Sequence, residues 1–348
     1  MKEKSNFIFL GVCALVLVIP LIFFNFKADQ ISVAENRKLA EPISIRQGVT
    51  NFMNSLDDCI NDRIGFRDNF VQMYRELTVN VIKGKNDKVT LGKDGWLFYN
   101  EDLPDYTGTN VNEETLNRYI TILKKIDTWC KERDIQFVFA VGPNKSTVYS
   151  QHMPQYFRPA EKTLLDSLLE RAETAGVTMV CPKNELIANR DTRELYMRLD
   201  THWNALGSRY LLNELTAALQ LPPRTIPEAS TSTLSTGDLL DMLSVGSVGS
   251  SSIGATTTAS HGATIENIKG KDHINIQSSN TDSFICYRDS FSIAMMEYYT
   301  YYFNGPLFWN FNIDFDFVEQ QKPKYLVLEC VERYIANAME SNANILNS

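Results

Sequence analysis

Histidine and cysteine are scarce in this 348-residue chain, and neither is spaced like a set of metal ligands. The six cysteines are scattered without a CxxC pair, and only four histidines occur. No run of lysine and arginine is present, and the formal net charge is -8. We therefore expect no metal site, no cofactor and no disulfide framework, and the acidic balance argues against a nucleic-acid partner.

One long apolar run is present, close to the N-terminus. Residues 7–26 carry no charge and are apolar up to Phe24. At ~1.5 Å per residue, this run just crosses a hydrocarbon core of roughly 30 Å. We expect an uncleaved transmembrane signal-anchor, with a cleaved signal peptide as the alternative. Lys2 and Lys4 favour a cytoplasmic segment 1–6 and an extracytoplasmic remainder, by the positive-inside rule.

The pattern changes twice after this run. Residues 27–90 are mostly helical in pattern, and we expect an extension that packs on the domain that follows. From residue 91 helices alternate with fully apolar runs of strand length, such as 135–142 and 324–331. This predicts a three-layer α/β/α domain with a mainly parallel sheet over residues 91–348. The small, polar stretch 244–263 predicts a passive, mobile loop.

Helix ends are marked by capping residues. Asn112, which precedes two glutamates, predicts the start of a helix, and Gly176 predicts the end of the helix that begins near residue 161. A further helix is predicted at about 204–219. These helices separate the strands whose ends carry the polar motifs.

Segments that would end at one edge of the sheet supply a serine, a histidine and an aspartate. Ser290 follows the apolar run 283–287 and precedes a helix, so its hydroxyl can project above the sheet near the first helix amides. His202 is the candidate base, and Asp200 on the same extended segment is its candidate partner. A serine, a base and an orienting carboxylate are what acyl transfer requires.

Each of these features also has a purely structural interpretation. Asp200-Thr201 and Asp289-Ser290 each precede a helix and are ordinary N-cap pairs, and a histidine beside a cap is as often structural. Asp289 also competes with Asp200 for the carboxylate role. Trp203 is interpreted as a core or shielding aromatic. His152 and His273 have no partner pattern, and His261 is a poor catalytic candidate because it lies in the stretch predicted to be mobile.

Taken in order, the motifs resemble SGNH-hydrolase-like proteins of the DHHW type, which are related to the alginate O-acetylation proteins. The resemblance is carried by DTHW at 200–203 and YRDSFS at 287–292. Six further segments occur in the order usual for the family: ENRKLA, DRIGFRD, LGKDGWLFY, GPNKSTVY, TGDLLDML at 236–243, and the stretch from FWNF to VERY at 308–334.

The resemblance covers nearly everything after the apolar run and implies an SGNH-like α/β/α fold on the outer side of the membrane. It implies O-acetyl transfer onto extracellular polysaccharide, with Ser290 in the position of the nucleophile, His202 in that of the base and Asp200 in that of its partner. It also implies a multi-pass membrane acyltransferase as the partner that supplies the acetyl group. A family likeness alone associates a function with the chain and does not derive it.

The sequence departs from the family pattern at two positions. Thr201 stands where the family has a histidine, which concentrates the prediction on His202. Arg288 replaces a glycine before Asp-Ser, and it either binds an anionic group of the acceptor or pairs with an acidic residue. Asn144 and Lys145 are candidates for oxyanion or substrate contacts, although a turn at a solvated edge is the stronger interpretation. Trp203 completes this group of substrate-side candidates.

Three functions remain open from the sequence. The first is a membrane-anchored O-acetyltransferase that acts on a cell-envelope or exopolysaccharide glycan through an acyl-serine. The second is a carbohydrate esterase that uses the same three residues and passes the acetyl group to water. The third is a non-catalytic envelope scaffold or glycan-binding protein.

Overall fold

The computed structural model describes most of the chain after residue 85 and short pieces before it. The described residues are 86–243, 251–256, 264–267, 273–279 and 282–347, with shorter pieces between residues 18 and 73. Two compact units are formed by the described parts of residues 1–85 with 243–248 and of residues 86–242 with 249–348. The predicted packing of residues 27–90 on the larger domain stays a prediction.

The smaller unit contains a pair of short strands. β1 (Ile31–Ser32) pairs antiparallel with β2 (Arg37–Lys38). The guanidinium of Arg63 is buried and donates hydrogen bonds to three backbone carbonyls. Of the predicted membrane segment 7–26, the first 11 residues lie outside the described residues. No helix in the described part of the chain has both the length and the apolar character needed to span a bilayer.

The larger unit contains the remaining described strands. In chain order they are β3 (Val89–Leu91), β4 (Leu97–Tyr99), β5 (Gln136–Gly142), β6 (Met179–Val180), β7 (Ser230–Leu234), β8 (Ser252–Thr256), β9 (Thr264–Asn267), β10 (His273–Gln277), β11 (Phe284–Tyr287), β12 (Gly305–Phe308) and β13 (Tyr325–Val331). Seven of these described strands form one sheet in the order β6-β5-β13-β11-β12-β10-β9. β3 with β4 and β7 with β8 form separate antiparallel pairs.

The sheet is mixed rather than mainly parallel throughout. From β6 to β12 the five strands are mutually parallel, which confirms the prediction for this part of the sheet. β10 and β9 extend the sheet in antiparallel pairing. A short connection such as 268–272 joins neighbouring strands only in antiparallel order, whereas parallel strands need a long crossover.

Helices cover both faces of this sheet. From residue 86 onward the described α-helices are α1 (Leu103–Thr107), α2 (Glu113–Lys131), α3 (Lys145–Val148), α4 (Leu164–Ala175), α5 (Lys183–Asn189), α6 (Ala205–Ala218), α7 (Asp238–Leu243), α8 (Met296–Tyr299), α9 (Phe315–Gln321) and α10 (Ile335–Ser341). The predicted start of α2 is confirmed, because the Asn112 side chain accepts from the amides of Glu114 and Thr115 at 2.8 and 3.1 Å.

Alternate residues of β5 belong to two separate hydrophobic clusters, one on each face. Val138 and Ala140 pack into the cluster that includes Leu211 of α6. Phe137 and Phe139 pack into the cluster that is covered by α2 and α4. Full burial of a valine or phenylalanine side chain contributes about 1.5 to 3 kcal/mol. The three-layer arrangement fixes the carboxyl ends of the central strands.

The stretch predicted as a passive loop contains a strand. Residues 244–250 and 257–263, with His261, lie outside the described residues. Between them β8 pairs antiparallel with β7. Ser252 at its start is fully buried, so this part of the stretch is structural rather than mobile.

Candidate active site

Three parallel strands end at the same edge of the sheet. In the register of the sheet, Gly142 at the end of β5 lies opposite Val331 at the end of β13, and Tyr287 at the end of β11 lies opposite Leu328. Ser290 is the first residue of the 3-10 helix that follows β11. The predicted strand-to-helix turn is therefore present, with a 3-10 helix as its first element.

His202 lies in a tight turn. The turn is closed by a bridge between Tyr196 and Trp203 and by a hydrogen bond of 3.1 Å from the Met197 amide to the His202 carbonyl. Asp200 Oδ1 accepts from the His202 amide at 3.0 Å. The sequence predicts Asp200 and His202 on one extended segment, whereas the two side chains meet because the chain turns there.

The predicted serine, histidine and aspartate are brought together in a line. His202 Nε2 lies 2.7 Å from Ser290 Oγ. On the other side of the ring, His202 Nδ1 lies 2.7 Å from Asp200 Oδ1. The histidine side chain is 28% exposed and that of the aspartate 18%, so a substrate can reach the group from solvent. The distances suit removal of the serine proton by the imidazole.

Asp200 is held in its ionised form. Burial acts to raise its pKa, but the hydrogen bond and charge of His202, with the Asp238 and His202 amides, outweigh burial and lower the pKa to about 2. An ionised carboxylate on Nδ1 favours the tautomer that leaves Nε2 free to accept a proton.

Of the two aspartates, only Asp289 has the capping role of its structural interpretation, since its side chain accepts from the Phe291 amide at the start of the 3-10 helix. Asp200 does not cap α6, because the Asn204 side chain accepts from the Leu206 and Gly207 amides at 3.0 and 3.1 Å. Asp289 does not reach His202 as the carboxylate partner. Its oxygens accept from the Phe291 amide at 2.7 Å and the Val331 amide at 2.8 Å, and so it joins β11 to β13.

The cap that Asp289 forms restricts the predicted oxyanion donors. The Phe291 amide is bound to Asp289 and is not free to stabilise an oxyanion. This leaves the Ser290 amide as the candidate donor at the start of the helix. The sequence predicted several first amides in this role.

Asp238 is a further residue of the site, which the sequence does not predict. Its carboxylate accepts from the Thr201 amide at 2.7 Å and from Thr201 Oγ1 at 2.5 Å, and one oxygen lies 3.6 Å from His202 Nδ1. The Asp238 amide donates to Asp200 Oδ2 at 3.0 Å. Thr201 therefore faces Asp238, in agreement with the interpretation that its position is not the base. The available signal was the aspartate in the TGDLLDML segment.

Two neighbouring segments fix the backbone of this turn. The Leu199 amide donates to Ser252 Oγ of β8 at 2.9 Å. A Cβ atom on Gly237 would lie 2.3 Å from the Leu199 carbonyl oxygen and 2.9 Å from the Asp200 nitrogen, so the backbones approach as closely as glycine allows.

Lys145 and Asn144 are buried and do not form a solvated edge. Lys145 Nζ donates to the carbonyls of Met197, Arg198 and Asp200 at 3.1, 3.2 and 2.6 Å. Burial lowers its pKa to about 7, although nearby aspartates favour the charged form. Asn144 Nδ2 donates to Asp105 at 2.9 Å. The predicted oxyanion and substrate contacts do not fit these positions, and Lys145 instead holds the turn that carries Asp200.

Arg288 and Trp203, which were also candidates for substrate contacts, are buried. Arg288 is 1% exposed, its Nη1 donates to the Asp289 carbonyl at 3.2 Å, and its guanidinium lies 4.5 Å from the centroid of the Trp309 ring. Among the described residues, Arg288 forms no direct ion pair with an acidic side chain. It is also too buried to offer an open site for an anion. Trp203 is buried and donates to the Phe291 carbonyl at 2.8 Å, which supports its interpretation as a core aromatic.

A buried glutamate lies beneath the nucleophile turn. Glu329 of β13 is fully buried and accepts from the Asp289 amide at 3.3 Å. Burial and the neighbouring Asp289 raise the pKa of Glu329 well above its usual value. The only sequence signal was a glutamate inside an otherwise apolar strand.

The other described histidines lie outside this group. His152 Nδ1 lies 3.0 Å from Asp94 Oδ2, so this histidine has a partner that the sequence did not indicate. His273 lies in β10 and packs against Phe308. Among the described residues, Asp200, His202 and Asp238 are close enough to be considered as metal ligands. One oxygen or nitrogen atom of each side chain lies within 4.8 Å of those of the other two. Hydrogen bonds among these residues and their neighbours account for that proximity.

Comparison with known proteins identifies the family. Residues 89–264 match the family described as "SGNH hydrolase-like domain, acetyltransferase AlgX", slightly more than half of the chain. The chain belongs to this family. The part that matches the AlgX-type family contains Asp200, His202 and Asp238 and ends before Ser290.

The chain resembles the following known proteins at low sequence identity. A protein of Pseudomonas aeruginosa PAO1 named "Probable alginate O-acetylase AlgJ" is 28% identical over 135 residues, which is 38% of this chain. The match spans about a third of that relative, 33% of its length. PatB1 of Bacillus cereus has a TM-score of 0.55 at 14% identity, covering 72% of this chain and 97% of that one. A DHHW family protein of Eubacterium siraeum DSM 15702 has a TM-score of 0.50 at 13% identity, covering 75% and 98%. At this identity the two structures establish the SGNH-like fold alone.

Proposed function

We propose that this protein transfers an acetyl group to a hydroxyl of a cell-envelope or extracellular glycan through an acyl-Ser290 intermediate. The observation that carries the proposal is the line of two 2.7 Å contacts, from Ser290 Oγ to His202 and from His202 to Asp200. The family description and the name of the relative, an alginate O-acetylase, support an acetyl group and a glycan.

The first half of the reaction loads the serine. His202 Nε2 takes the proton of the Ser290 hydroxyl as Oγ attacks the carbonyl carbon of an acetyl donor. The charge that develops on the carbonyl oxygen is stabilised by the Ser290 amide. The C–O bond of the donor then breaks, His202 returns the proton to the leaving group, and acetyl-Ser290 remains.

The second half of the reaction unloads the serine. A glycan hydroxyl gives its proton to His202 Nε2 and attacks the acetyl carbon. The bond to Ser290 Oγ breaks, and His202 returns the proton to the serine. Asp200 stays ionised throughout and stabilises the imidazolium in both halves.

The test is to trap the acyl-enzyme on the full-length chain. The protein is mixed with p-nitrophenyl acetate, and its peptides are examined by mass spectrometry with and without a glycan acceptor. We expect acetyl on Ser290, loss of that label in Ser290→Ala and His202→Ala, and appearance of the label on the glycan when it is present. Free acetate without labelled glycan would favour the esterase. An unlabelled Ser290 with no turnover would contradict both enzymes and leave a scaffold.

His152→Ala is the matched control. This histidine also has an aspartate 3.0 Å from its Nδ1, but it lies outside the site. We expect the wild-type degree of labelling, so that loss in His202→Ala cannot be attributed to the removal of any histidine paired with an aspartate.

We also propose that residues 7–26 anchor the chain in the cell membrane with the larger unit outside. A multi-pass membrane acyltransferase is proposed to supply the acetyl group at that side. Protease added to intact cells is expected to degrade the larger unit, and an inaccessible larger unit would contradict the proposed orientation. Loss of glycan acetylation on deletion of the acyltransferase tests the partner.

A further inference from the structure

A solvent-exposed tryptophan lies at the same sheet edge as the nucleophile. Trp309 is the residue after β12, and Phe308 at the end of β12 pairs in parallel register with Tyr287 at the end of β11. Ser290 follows Tyr287 by three positions. The Trp309 side chain is 51% exposed, an unusual degree for so large an apolar ring.

Arg288 fixes the position of this ring. The guanidinium carbon lies 4.5 Å from the centroid of the indole, while Nη1 donates to the Asp289 carbonyl at 3.2 Å. The Arg288 amide donates to the Phe308 carbonyl at 2.9 Å. One side of the indole therefore rests on a buried cation that belongs to the nucleophile turn, and the exposed side is directed to solvent.

The burial of Arg288 is costly by itself. Its Nε is buried and has no hydrogen-bond partner among the described residues. An unpartnered buried donor costs about 1 to 3 kcal/mol. Buried groups without a partner are retained most readily where they serve a function. Here the buried Arg288 keeps the Trp309 indole in place. Trp309 comes opposite Arg288 if the pairing of Phe308 with Tyr287 is continued, and Ser290 is two residues after Arg288.

A second arginine at this edge, Arg333, also lies against aromatic rings, but it is enclosed by them. Arg333 lies 5.3 Å from the Phe291 ring and 5.1 Å from the Tyr334 ring, and its side chain is 5% exposed. Its Nη1 lies 3.4 Å from an Asp102 oxygen. The rings around this arginine complete a packed cluster, whereas Trp309 leaves half of its surface open.

We propose that Trp309 is an acceptor subsite, on which a sugar ring of the glycan stacks and presents a hydroxyl to acyl-Ser290. The inference rests on the proposed function. A sugar ring has an apolar C–H face that matches a flat indole and needs no charged partner there. Because Arg288 already holds the indole, little conformational freedom is lost when the sugar binds.

Direct binding to the full-length chain tests the subsite without turnover. The probes are two β-1,4-linked hexasaccharides, neutral cellohexaose and acidic oligomannuronate, titrated calorimetrically without an acetyl donor. We expect Trp309→Ala to weaken binding of the better probe by about tenfold or more, as for an exposed anchor residue. Trp309→Phe, which keeps a flat ring, should stay within about threefold of wild type.

Trp129→Ala is the matched control. Trp129 of α2 is half-buried and also has an arginine over its ring, with the Arg133 guanidinium 4.1 Å away. It packs against Phe315 rather than beside the nucleophile turn. We expect no change in sugar affinity, and thermal melting of each variant checks that the fold is retained.

The kinetic result separates binding from chemistry. Trp309→Ala is expected to raise the KM for the saccharide acceptor by about tenfold with a smaller change in kcat, as for loss of uniform binding. Wild-type affinity in Trp309→Ala, or no binding of either probe by the wild type at millimolar concentration, would overturn the subsite. The acetyl label on Ser290, measured separately, decides the proposed function, so the two failures are distinguishable.

Discussion

His202 has two carboxylates nearby, and they contact it differently. Asp200 Oδ1 lies 2.7 Å from Nδ1, whereas Asp238 Oδ2 lies 3.6 Å away and accepts from Thr201 Oγ1. The closer carboxylate sets the tautomer and stabilises the imidazolium. The more distant carboxylate orients the turn through Thr201.

Asp200→Asn and Asp238→Asn should therefore differ in effect. We expect kcat for ester hydrolysis to fall by about 10³- to 10⁴-fold in Asp200→Asn, because the amide favours the wrong tautomer. Asp238→Asn should cost only about tenfold, since it disturbs His202 through Thr201. Steady-state kinetics on both variants give the comparison. A larger loss in Asp238→Asn would assign the carboxylate role to that residue.

Ser290, His202 and Asp200 were predictable from the sequence, because few residues of the chain have the chemistry and the position that acyl transfer requires. Few histidines occur, only His202 has an aspartate two residues before it, and Ser290 follows an apolar strand before a helix. Asp238 was not predictable, because its contact with Thr201 depends on the close approach of two distant segments. The burial of Lys145 was missed for the same reason, since a lysine after a strand has no local sign of three carbonyl acceptors.

At the scale of elements, β8 supports the turn that carries His202, although the sequence around β8 has the composition of a linker. Its Ser252 accepts from the Leu199 amide at 2.9 Å, and the Ile253 carbonyl accepts from Asn204 at 3.0 Å. Serine, glycine and threonine carry no periodic apolar signal, and the partner strand β7 is equally polar. Pairing with β7 and burial against the turn make the strand, and neither is encoded locally.

Ser252→Ala tests this support. We expect the free energy of unfolding to fall by about 1 to 3 kcal/mol, because the Leu199 amide loses its acceptor inside the protein. The activity should fall as well, since the turn that carries Asp200 and His202 becomes less fixed. Urea unfolding and ester hydrolysis are the measurements.

The neighbouring serine provides the control for this variant. Ser251 is exposed and directly precedes β8. Ser251→Ala should stay within about 0.5 kcal/mol of wild type, as surface substitutions usually do. Equal effects of the two substitutions would show that the buried hydrogen bond is not the cause.

At the scale of the whole molecule, buried carboxylates make stability depend on pH. Burial raises the pKa of Glu332 to about 8, with the neighbouring Asp105 acting in the same direction. Burial also raises the pKa of Asp102 to about 6, against the opposing charge of Arg333. The folded protein therefore keeps protons that the unfolded chain releases at lower pH.

Glu332→Gln should remove most of the pH dependence of stability that Glu332 causes. Wild-type Glu332 retains its proton up to about pH 8, whereas an unfolded glutamate releases it near pH 4.5, so the wild-type free energy of unfolding falls as pH rises between these values. We expect the stability of Glu332→Gln relative to wild type to increase by about 2 to 4 kcal/mol between pH 5 and pH 8. Urea unfolding at several pH values measures the difference.

Glu340→Gln is the control for the pH series. Glu340 is an exposed glutamate that pairs with Arg118 at 2.7 Å. Its hydrogen bond with Arg118 lowers its pKa, so its contribution is complete above pH 5 and no change is expected between pH 5 and pH 8. A flat difference between Glu332→Gln and wild type over that range would contradict the raised pKa of Glu332.

The order of strands in the sheet has a consequence for how the chain is made. β13 lies between β5 and β11, in the middle of the five parallel strands, yet it is the last described strand to leave the ribosome. Until it is synthesised, β5 and β11 each lack their central neighbour, and loop closure over so long a separation is slow. We therefore expect the nucleophile and its base to come together only after β13 has been synthesised, so a nascent chain that stops before β13 carries both halves of the site without a working one.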